Sequence, residues 1–570
     1  GAGNHVILGD SGKAVFRNGR AQRIESITPD VGGADTIEAK DGNSRIIGGA
    51  GADTITTGAG NHVILGDSGE ADFTVTVLDG VATSQLARIA TTAPSVGGAD
   101  TITFGAGTNV VLGGAAGDVI KGADKGAVIL GDNGVVTFDA LGRILRALST
   151  DTAVGGDDTI EIGDGDNVVL GGYGRDGITI GNGSNVVLGD SGQADFEAGA
   201  IVEIASTSPE VGDRDTIKLG RGRNTVIAGA GGDSVTAGDG ANVVLGDAGY
   251  ARFTAAGLPI IVETTYDNVG GSDVITVGNG DSVILGGSGG DFITAGDGRA
   301  VVLGDNGQAT FDALGRVVQA ATTAATSGAR DEITLGNGGS VVVGGVGADK
   351  IVTGSGSDVI LGDNGSVVFL DGVLVSLETL ESTFGGGDLI LAGEGDNVVF
   401  GGVGADDITT GAGRDVILGD DGQATFAQGK LVRVTTKNEG VAGDDTIRAG
   451  DGANVVLGGS GNDAITTGVG DDVVFGDNGA IDFVNGIRFE ALSERAGGGG
   501  RDTIVTGAGA DLVIGGLGAD SIDAGRLDSD ADIVFGDNGH VTFDVLGRIT
   551  LAETMDPTLG GDDIIDAGAG

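Results

Sequence analysis

Apolar residues return along this chain at an interval of nine. Residues 30–74 divide without remainder into DVGGADTIE, AKDGNSRII, GGAGADTIT, TGAGNHVIL and GDSGEADFT. In each nonapeptide a half rich in Gly, Asp and Asn precedes a short half of Ile, Val, Thr or Phe, and the eighth position is apolar. Gly and Asx accept the positive φ of tight turns, whereas Ile, Val, Thr and Phe suit an extended strand. The pattern predicts turn, strand, turn, strand, with no helical period anywhere. Two nonapeptides make one 18-residue coil, its two strands in opposite sheets. The expected fold is all-β: a right-handed parallel β-roll, or β-solenoid, cored by stacked Ile, Val, Leu and Phe.

A longer repeat of about 58 residues is superimposed on the nonapeptides. The tetrapeptide GD[SNAD]G occurs ten times, with its Asp at Asp10, Asp67, Asp132, Asp190, Asp247, Asp305, Asp363, Asp420, Asp477 and Asp537. Successive spacings are 57, 65, 58, 57, 58, 58, 57, 57 and 60. Six residues after each Asp stands a Phe, so ten of the 17 Phe share one position of one repeat. The whole chain, 1–570, is accordingly expected to form one continuous solenoid of ten repeats. After its nonapeptides each repeat carries a less regular segment, such as NGRAQRIESITP (18–29) or DALGRILRALST (139–150), which passes a Gly turn into an apolar run ending in Ser or Thr. We read it as a sixth, longer strand slot, giving three coils per repeat. The competing reading is a small β-hairpin projecting from the roll, which NG and DG turns also favour. Several of the few basic residues gather here (Arg20, Arg23, Arg143, Arg146, Lys430, Arg433 and Arg548), away from the acidic turns. Neither end reads as the atypical repeat that covers the open end of a solenoid. The expectation is a segment of a longer protein.

Charge and composition narrow the function. Against 82 Asp+Glu stand 31 Lys+Arg, a formal charge of −51. That sign repels nucleic acid and anionic membrane surfaces, so neither is expected as a partner. No apolar run approaches the ~18 residues of a membrane span, and no membrane insertion is expected. The opening GAGNHVILGD shows neither the basic start nor the apolar stretch of a secretory signal. Without Cys there are no disulfides and no thiolate metal sites. High charge with 119 Gly would fit disorder, but 39% of residues are hydrophobic and recur in strict order.

The acidic residues are not scattered. Asp35/Asp53, Asp100/Asp118, Asp158/Asp176, Asp215/Asp233, Asp273/Asp291, Asp331/Asp349, Asp388/Asp406, Asp445/Asp463 and Asp502/Asp520 are nine pairs, each separated by 18 residues. Stacked coils lie ~4.8 Å apart, so each pair should set one carboxylate above another. A solvated acidic surface needs no fixed interval. Ca²⁺ takes about six to eight hard oxygens in irregular geometry, which stacked carboxylates and the carbonyls of Gly-rich turns supply. Turn chemistry alone is the alternative, since Asp tolerates the left-handed region and bonds its own backbone.

GGAGADTIT (48–56), GGVGADKIV (344–352), GGVGADDIT (401–409) and GGLGADSID (515–523) share the pattern GGxGxDxUx. On these residues the chain resembles the RTX (repeats-in-toxin, hemolysin-type calcium-binding repeat) proteins, of the large secreted or adhesin kind. The resemblance implies Ca²⁺ between consecutive turns on one edge of the roll, held by Asp carboxylates and Gly-rich carbonyls. It also implies export through a type I system and folding outside the cell, hence an extracellular or bacterial-surface location. The expected metal residues are the nine pairs together with Asp67, Asp132, Asp190, Asp247, Asp305, Asp363, Asp420, Asp477 and Asp537. The latter stand at the second position of their nonapeptide, which departs from the family pattern: they cap a tight turn or close a second site. On the opposite edge TGAGNHVIL and TGSGSDVIL offer Asn61 and Asp358 at equivalent places, and calcium there is expected to be patchy. At about two to three Ca²⁺ per repeat, the ten repeats carry roughly +40 to +60, which brackets the acidic excess.

Other motifs reduce to the repeat. GDSG at 9–12, 66–69 and 189–192 is like the nucleophile motif of trypsin-like serine proteases, yet the same slot elsewhere reads GDNG, GDAG or GDDG. His5, His62 and His540 have no constant acidic or nucleophilic partner, and His5 and His62 are expected to be exposed strand residues. Thr-x-Thr triplets such as Thr54–Thr56 and Thr101–Thr103 suggest an outward ladder, interrupted by Glu38, Lys218 and Arg448. Every carboxylate pair recurs, so none stands out as catalytic and no enzyme is expected. The expected function is a calcium-stabilised extracellular structural protein (surface fibre, adhesin stalk or matrix or filament component) that folds on Ca²⁺ binding after secretion. Self-association into fibres or layers is the partner expected beside calcium. The alternative is a secretion and folding module of an exported enzyme or toxin whose catalytic part lies outside this segment.

Overall fold

Gly and Asx recur so closely that only short strands fit between turns. In the computed structural model the strands of the nonapeptides are three to five residues long, as in Thr54–Thr56 and Val168–Gly172. The structure describes residues 2–381, 383–437, 443–493, 498–525, 530–556 and 558–567; the closing 568–570 lies outside them. The chain divides into two compact units, Gly1–Ile284 and Leu285–Gly570. The same architecture is built in each, and five hairpins belong to each unit. Among the described residues no helix is long and apolar enough to cross a membrane.

Successive nonapeptides enter opposite parallel sheets. In the N-terminal unit one sheet stacks Ile37 on Ile55, Ile55 on Ile102 and Ile102 on Ile120. The facing sheet stacks Ile46 on Ile64, Ile64 on Val111 and Val111 on Ile129. The C-terminal unit repeats the scheme with Ile333, Ile351, Ile390 and Ile408. These side chains are buried, and each removes enough apolar surface from water to contribute roughly 1.5–3 kcal/mol. The flanking Thr of Thr101–Phe104 point outward, in the alternation a half-buried strand requires. Registers of 18 residues alternate with registers of 39 to 47, because a second element is inserted in every other coil.

That element corrects the expected third coil. The segment that begins at the second Gly of GD[SNAD]G is an antiparallel hairpin, as in Gly69–Leu78 with Val81–Thr91 and Gly422–Ala427 with Lys430–Thr436. Each repeat therefore holds two coils and one hairpin. Two local features force the reversal. The tips Asn18-Gly19, Asp79-Gly80, Asp371-Gly372 and Asn485-Gly486 have positive φ at both residues, the turn whose twist matches that of the strands it joins. The ladder also shifts register immediately before the repeat Phe, at Asp72/Phe73, Thr137/Phe138 and Phe426 alike. Such a bulge bends the strand and increases its twist. The recurrent Phe thus marks where the hairpin leaves the roll. The hairpin 69–91 is longer than the others, which produces the single 65-residue spacing.

The hairpins of each unit form a third, antiparallel sheet. The second strand of one pairs with the first strand of the next, setting Ile24 against Ala71, Ala147 against Ala194 and Leu377 against Ala424, all buried. The Ser or Thr that ends a hairpin accepts a hydrogen bond from the first Gly N–H of the next: Ser26 from Gly69, Thr91 from Gly134, Thr436 from Gly479, each at 3.1 Å. The Arg that gather here pair across neighbouring hairpins, Arg146 with Asp195 and Arg433 with Asp482. Being partly open to water, such pairs contribute little stability.

Candidate functional site

The sixth position of every GGxGxDxUx nonapeptide falls where the turn enters a strand of the first parallel sheet, with its side chain directed into the turn. In the N-terminal unit Asp35, Asp53, Asp100, Asp118, Asp158, Asp176, Asp215, Asp233 and Asp273 form one column. Each after Asp35 uses Oδ1 to accept a hydrogen bond from the backbone N–H of the Asp one coil earlier. The Asp35 N–H donates to Asp53 at 2.7 Å, Asp53 to Asp100 at 2.7 Å, Asp118 to Asp158 at 2.6 Å and Asp233 to Asp273 at 2.6 Å. In the C-terminal unit Asp291, Asp331, Asp349, Asp388, Asp406, Asp445, Asp463, Asp502 and Asp520 repeat the ladder, from 2.7 Å (Asp291 to Asp331) to 2.9 Å (Asp502 to Asp520). Eight of the nine pairs expected from the 18-residue interval lie within one unit and are brought together, and within each unit one pair is joined to the next across the hairpin; Asp273 and Asp291 belong to different units.

The second carboxylate oxygen is different. Oδ2 of Asp53, Asp100, Asp118, Asp158, Asp176, Asp215 and Asp233 is buried without a hydrogen-bond partner, and so are those of Asp331, Asp349, Asp388, Asp406, Asp445, Asp463, Asp502 and Asp520. An unsatisfied buried acceptor costs roughly 1–3 kcal/mol, and more when charged. Repeated in register through both units, these oxygens point to a cation as their partner. A Gly faces each of them except Asp233, before which Ala228 takes that position: a Cβ on Gly171 would overlap both Asp176 Oδ2 and the Gly189 carbonyl, and one on Gly401 would overlap Asp406 Oδ2 and the Gly419 carbonyl. These glycines do not need positive φ. They are glycine because a carboxylate and the carbonyl of the following turn converge on the space a side chain would fill.

The RTX calcium-binding nonapeptide repeat (four copies) matches residues 31–61, 212–250, 267–302, 335–368, 382–422, 439–474 and 496–528. The chain is an RTX-type repeat protein. No curated protein matches it. The RTX repeat makes it a calcium-binding repeat protein, and the column fits that ion. Among the described residues no three His, Cys, Asp or Glu side chains converge. Most of the six or so oxygens Ca²⁺ needs would therefore come from turn carbonyls, with the Asp Oδ2 supplying the negative charge. The column would hold the ion; the ion would neutralise charges that the fold otherwise buries.

Electrostatics within the RTX turns point the same way. Burial pushes Asp53 and Asp520 up to about 6 and Asp100 and Asp233 up to about 7. Asp118, Asp158, Asp331 and Asp388 lie well above the ordinary carboxylate range, by burial first and by the charges of neighbouring Asp as well. Each of these carboxyls is held in a place that favours its neutral form or a bound cation.

The Asp of GD[SNAD]G has another geometry. Asp67 accepts from Gly98 N–H at 3.1 Å through Oδ1 and from Ala115 N–H at 2.5 Å through Oδ2. Asp132 takes Gly156 and Tyr173, Asp305 takes Ala329 and Val346, Asp363 takes Gly386 and Val403, and Asp477 takes Gly500 and Leu517. Asp190 and Asp420 accept from Ala230 and Ser460 at 2.5 Å, Asp247 from Gly271 at 3.2 Å and Asp537 from Gly561 at 3.0 Å. These carboxylates clip a turn of the following repeat to the turn above it. The second Gly of the motif, as at Gly12, leaves room for Leu8 Cδ1 and the Glu25 carbonyl, which a Cβ would meet at 2.9 and 3.0 Å. Replacing Asp67 by Asn sets an amide NH₂ against one of the two N–H donors. The expected loss is about 1–3 kcal/mol in chemical denaturation, with an unchanged count of bound calcium; a reduced count would make Asp67 a ligand.

On the opposite edge two expectations need correction. Asn61 and Asp358 do not occupy equivalent places: Asn61 is exposed, whereas Asp358 is buried in a column of the C-terminal unit with Asn397, and His62 and Asn109 hold the like position in the N-terminal unit. His62 is accordingly buried, not exposed; its Nδ1 accepts from the Ser44 N–H at 3.2 Å and its Nε2 lies 3.0 Å from the Gly58 carbonyl. In the two nonapeptides Asn61 corresponds to Ser357 and His62 to Asp358, and a slip of one residue along a strand exchanges inward for outward.

Proposed function

We propose that the chain is a calcium-stabilised extracellular structural element (a surface fibre, adhesin stalk or matrix component) whose folding is switched on by Ca²⁺ after export. The observation that carries this reading is the column of buried Asp, most of them with an unpartnered Oδ2, repeated in both units. In a calcium-poor interior those carboxylates repel one another and hold the chain open. In millimolar calcium the ions draw consecutive turns together, and binding energy becomes folding energy. The two column Asp of each repeat, with further sites on the opposite edge, support about two to three ions per repeat. The GD[SNAD]G Asp act as clips that set the turns, and no residue stands apart from the repeat as a catalytic group would. Self-association into fibres or layers would run along the hairpin sheets.

The second reading, a secretion and folding module of an exported enzyme or toxin, shares the calcium mechanism and is favoured by the RTX repeats themselves. Native mass spectrometry in calcium, together with electron microscopy of the same sample, tests the proposal. A fully loaded chain appearing as rods or fibres supports the structural role. A loaded chain that stays a featureless monomer leaves the module reading, and one that takes up no calcium defeats both.

A further inference from the structure

The register shift in each hairpin leaves one residue of the returning strand without a cross-strand partner. In Gly422–Ala427 with Lys430–Thr436, Thr425 pairs with Arg433 and Phe426 with Leu431, so Val432 is the bulged residue. The same place holds Val318, Val375 and Phe489 elsewhere in the C-terminal unit. In the N-terminal unit it holds Leu145, Val202 and Ile260. Val434, two residues beyond Val432, is buried, whereas Leu145, Ile260, Val318, Val432 and Phe489 are exposed; Val202 and Val375 are half-buried. Two strands span ~9.6 Å of sheet, so an apolar side chain recurs at about that interval along the hairpin sheet of each unit. Single exposed apolar residues are ordinary. A row of them at the period of the repeat is a surface.

The same sheets are nearly neutral in a strongly acidic chain. Turns included, the ten hairpins hold 13 of the 31 Lys+Arg and 16 of the 82 Asp+Glu, a balance of −3 out of −51. Two copies of the chain repel one another through the acidic roll, and scarcely at all through the hairpins. The sign also alternates from one hairpin to the next. In the N-terminal unit 12–26 has four basic residues against one acidic, 69–91 one against three, 134–149 two against one, and 192–206 none against three. In the C-terminal unit 365–379 has two acidic residues and no basic one, and 422–436 two basic and no acidic one. A two-fold axis lying along the strands, between the middle hairpins of a unit, reverses the order of hairpins in a second copy. It sets 12–26 on 192–206, 69–91 on 134–149 and 365–379 on 422–436. Each then faces the opposite sign.

We propose that the hairpin sheet of each unit packs face to face on the like sheet of a second copy, in reversed order, with the bulged residues of the two rows against one another. The proposal rests on the self-association read above and names its contact. A second copy is the partner because it alone brings the same ~9.6 Å period and meets the row at every repeat. A partner without the repeat meets it at one place. The area suffices. Five hairpins cover roughly 50 Å by 20 Å, about 1,000 Å² on each copy, against the ~800 Å² per partner of a stable interface. Each chain has two such sheets, so association is not confined to pairs.

The test is sedimentation velocity of the full chain in millimolar calcium, with Val432→Glu and Phe489→Glu combined. At 38% and 47% exposure these positions admit a carboxylate in the free chain, whereas the packed sheets would bury each one without a partner. Self-association should weaken at least about tenfold, with the strand signal and calcium count unchanged. Thr103→Glu, exposed on the first parallel sheet, should associate as the parent does. A double variant that associates like the parent overturns the contact alone. A parent that stays monomeric at every concentration overturns the self-association as well, and leaves the calcium mechanism standing. Cysteine gives a second readout that does not depend on the charged variant folding, since the chain has none of its own. Val375→Cys with Val432→Cys should form a covalent dimer on oxidation, each Cys meeting the other position of the second copy. Within one chain the two lie ~9.6 Å apart, beyond the ~7 Å a disulfide can bridge. Associated chains that do not cross-link overturn the reversed arrangement.

Discussion

In calcium-free buffer the strand signal of this chain should be strong near pH 4.5 and largely lost by pH 8. The sign follows from the column. Its carboxyls bind protons more tightly folded, at about 6 for Asp53 and about 7 for Asp100, Asp233 and Asp463, than in an open chain, where they titrate near 3.8. Burial is the first cause in each case. A folded state that binds more protons gains stability as pH falls, so the contribution is fully present below about pH 4 and disappears as pH rises through 6 to 7. Each tenfold gain in proton affinity on folding is worth about 1.4 kcal/mol per group, and several groups together exceed the roughly 5–15 kcal/mol that holds a domain folded. Protons thus stand in for calcium. With calcium bound the same pH scan by circular dichroism should be nearly flat above pH 5. A calcium-free signal independent of pH would mean that the buried Asp are not what opposes folding.

The second large effect belongs to a glycine. Gly171→Ala should weaken the cation site at its turn and destabilise the calcium-loaded protein by roughly 1–3 kcal/mol; the chain holds alanine at this position once, at Ala228 before Asp233. The backbone there has no positive φ, so nothing is lost by conformational preference; the added methyl occupies the place where Asp176 Oδ2 and the Gly189 carbonyl converge. Gly177→Ala, six residues on in the same repeat, is the matched control. Its nearest new neighbour would be the Asp158 carbonyl at 3.7 Å, an ordinary contact, and alanine in the strand Gly177–Ile180 should be neutral or stabilising by about 0.5–1 kcal/mol. Denaturant midpoints and calcium counts for the two variants should separate cleanly. Equal behaviour would mean the convergence at Gly171 is a packing detail with no bearing on the ion.

The parallel coils are legible in the sequence because stacking imposes an arithmetic. Residues 18 apart occupy one column, so Asp35 over Asp53 and Ile37 over Ile55 follow from the interval alone. The hairpins are legible only in part. Asn18-Gly19 and Asp79-Gly80 announce a tight reversal, but Ala198-Gly199 and Gln428-Gly429 adopt the same turn with Ala and Gln at φ of 55° and 53°. Those two residues carry no local signal for positive φ, and the neighbouring hairpins impose it. The roles inside GD[SNAD]G are hidden for a similar reason. Asp67 finds its donors at Gly98 and Ala115, in the next repeat, and an interval of 31 or 48 residues has no counterpart in the nine-residue pattern. His62 reads as exposed only when its strand is placed one residue out of register, the error to which a two-sided strand is most sensitive.

The central claim is that bound calcium closes these turns. Its most direct test is far-ultraviolet circular dichroism of the full chain at neutral pH, first stripped with EGTA and then titrated with calcium to millimolar concentration. The expected result is a disordered spectrum in chelator that converts cooperatively to a β-sheet spectrum as calcium is added and reverts when it is removed, with magnesium far less effective because it demands tighter, near-octahedral geometry. A β-sheet spectrum that persists unchanged in EGTA at neutral pH would contradict it.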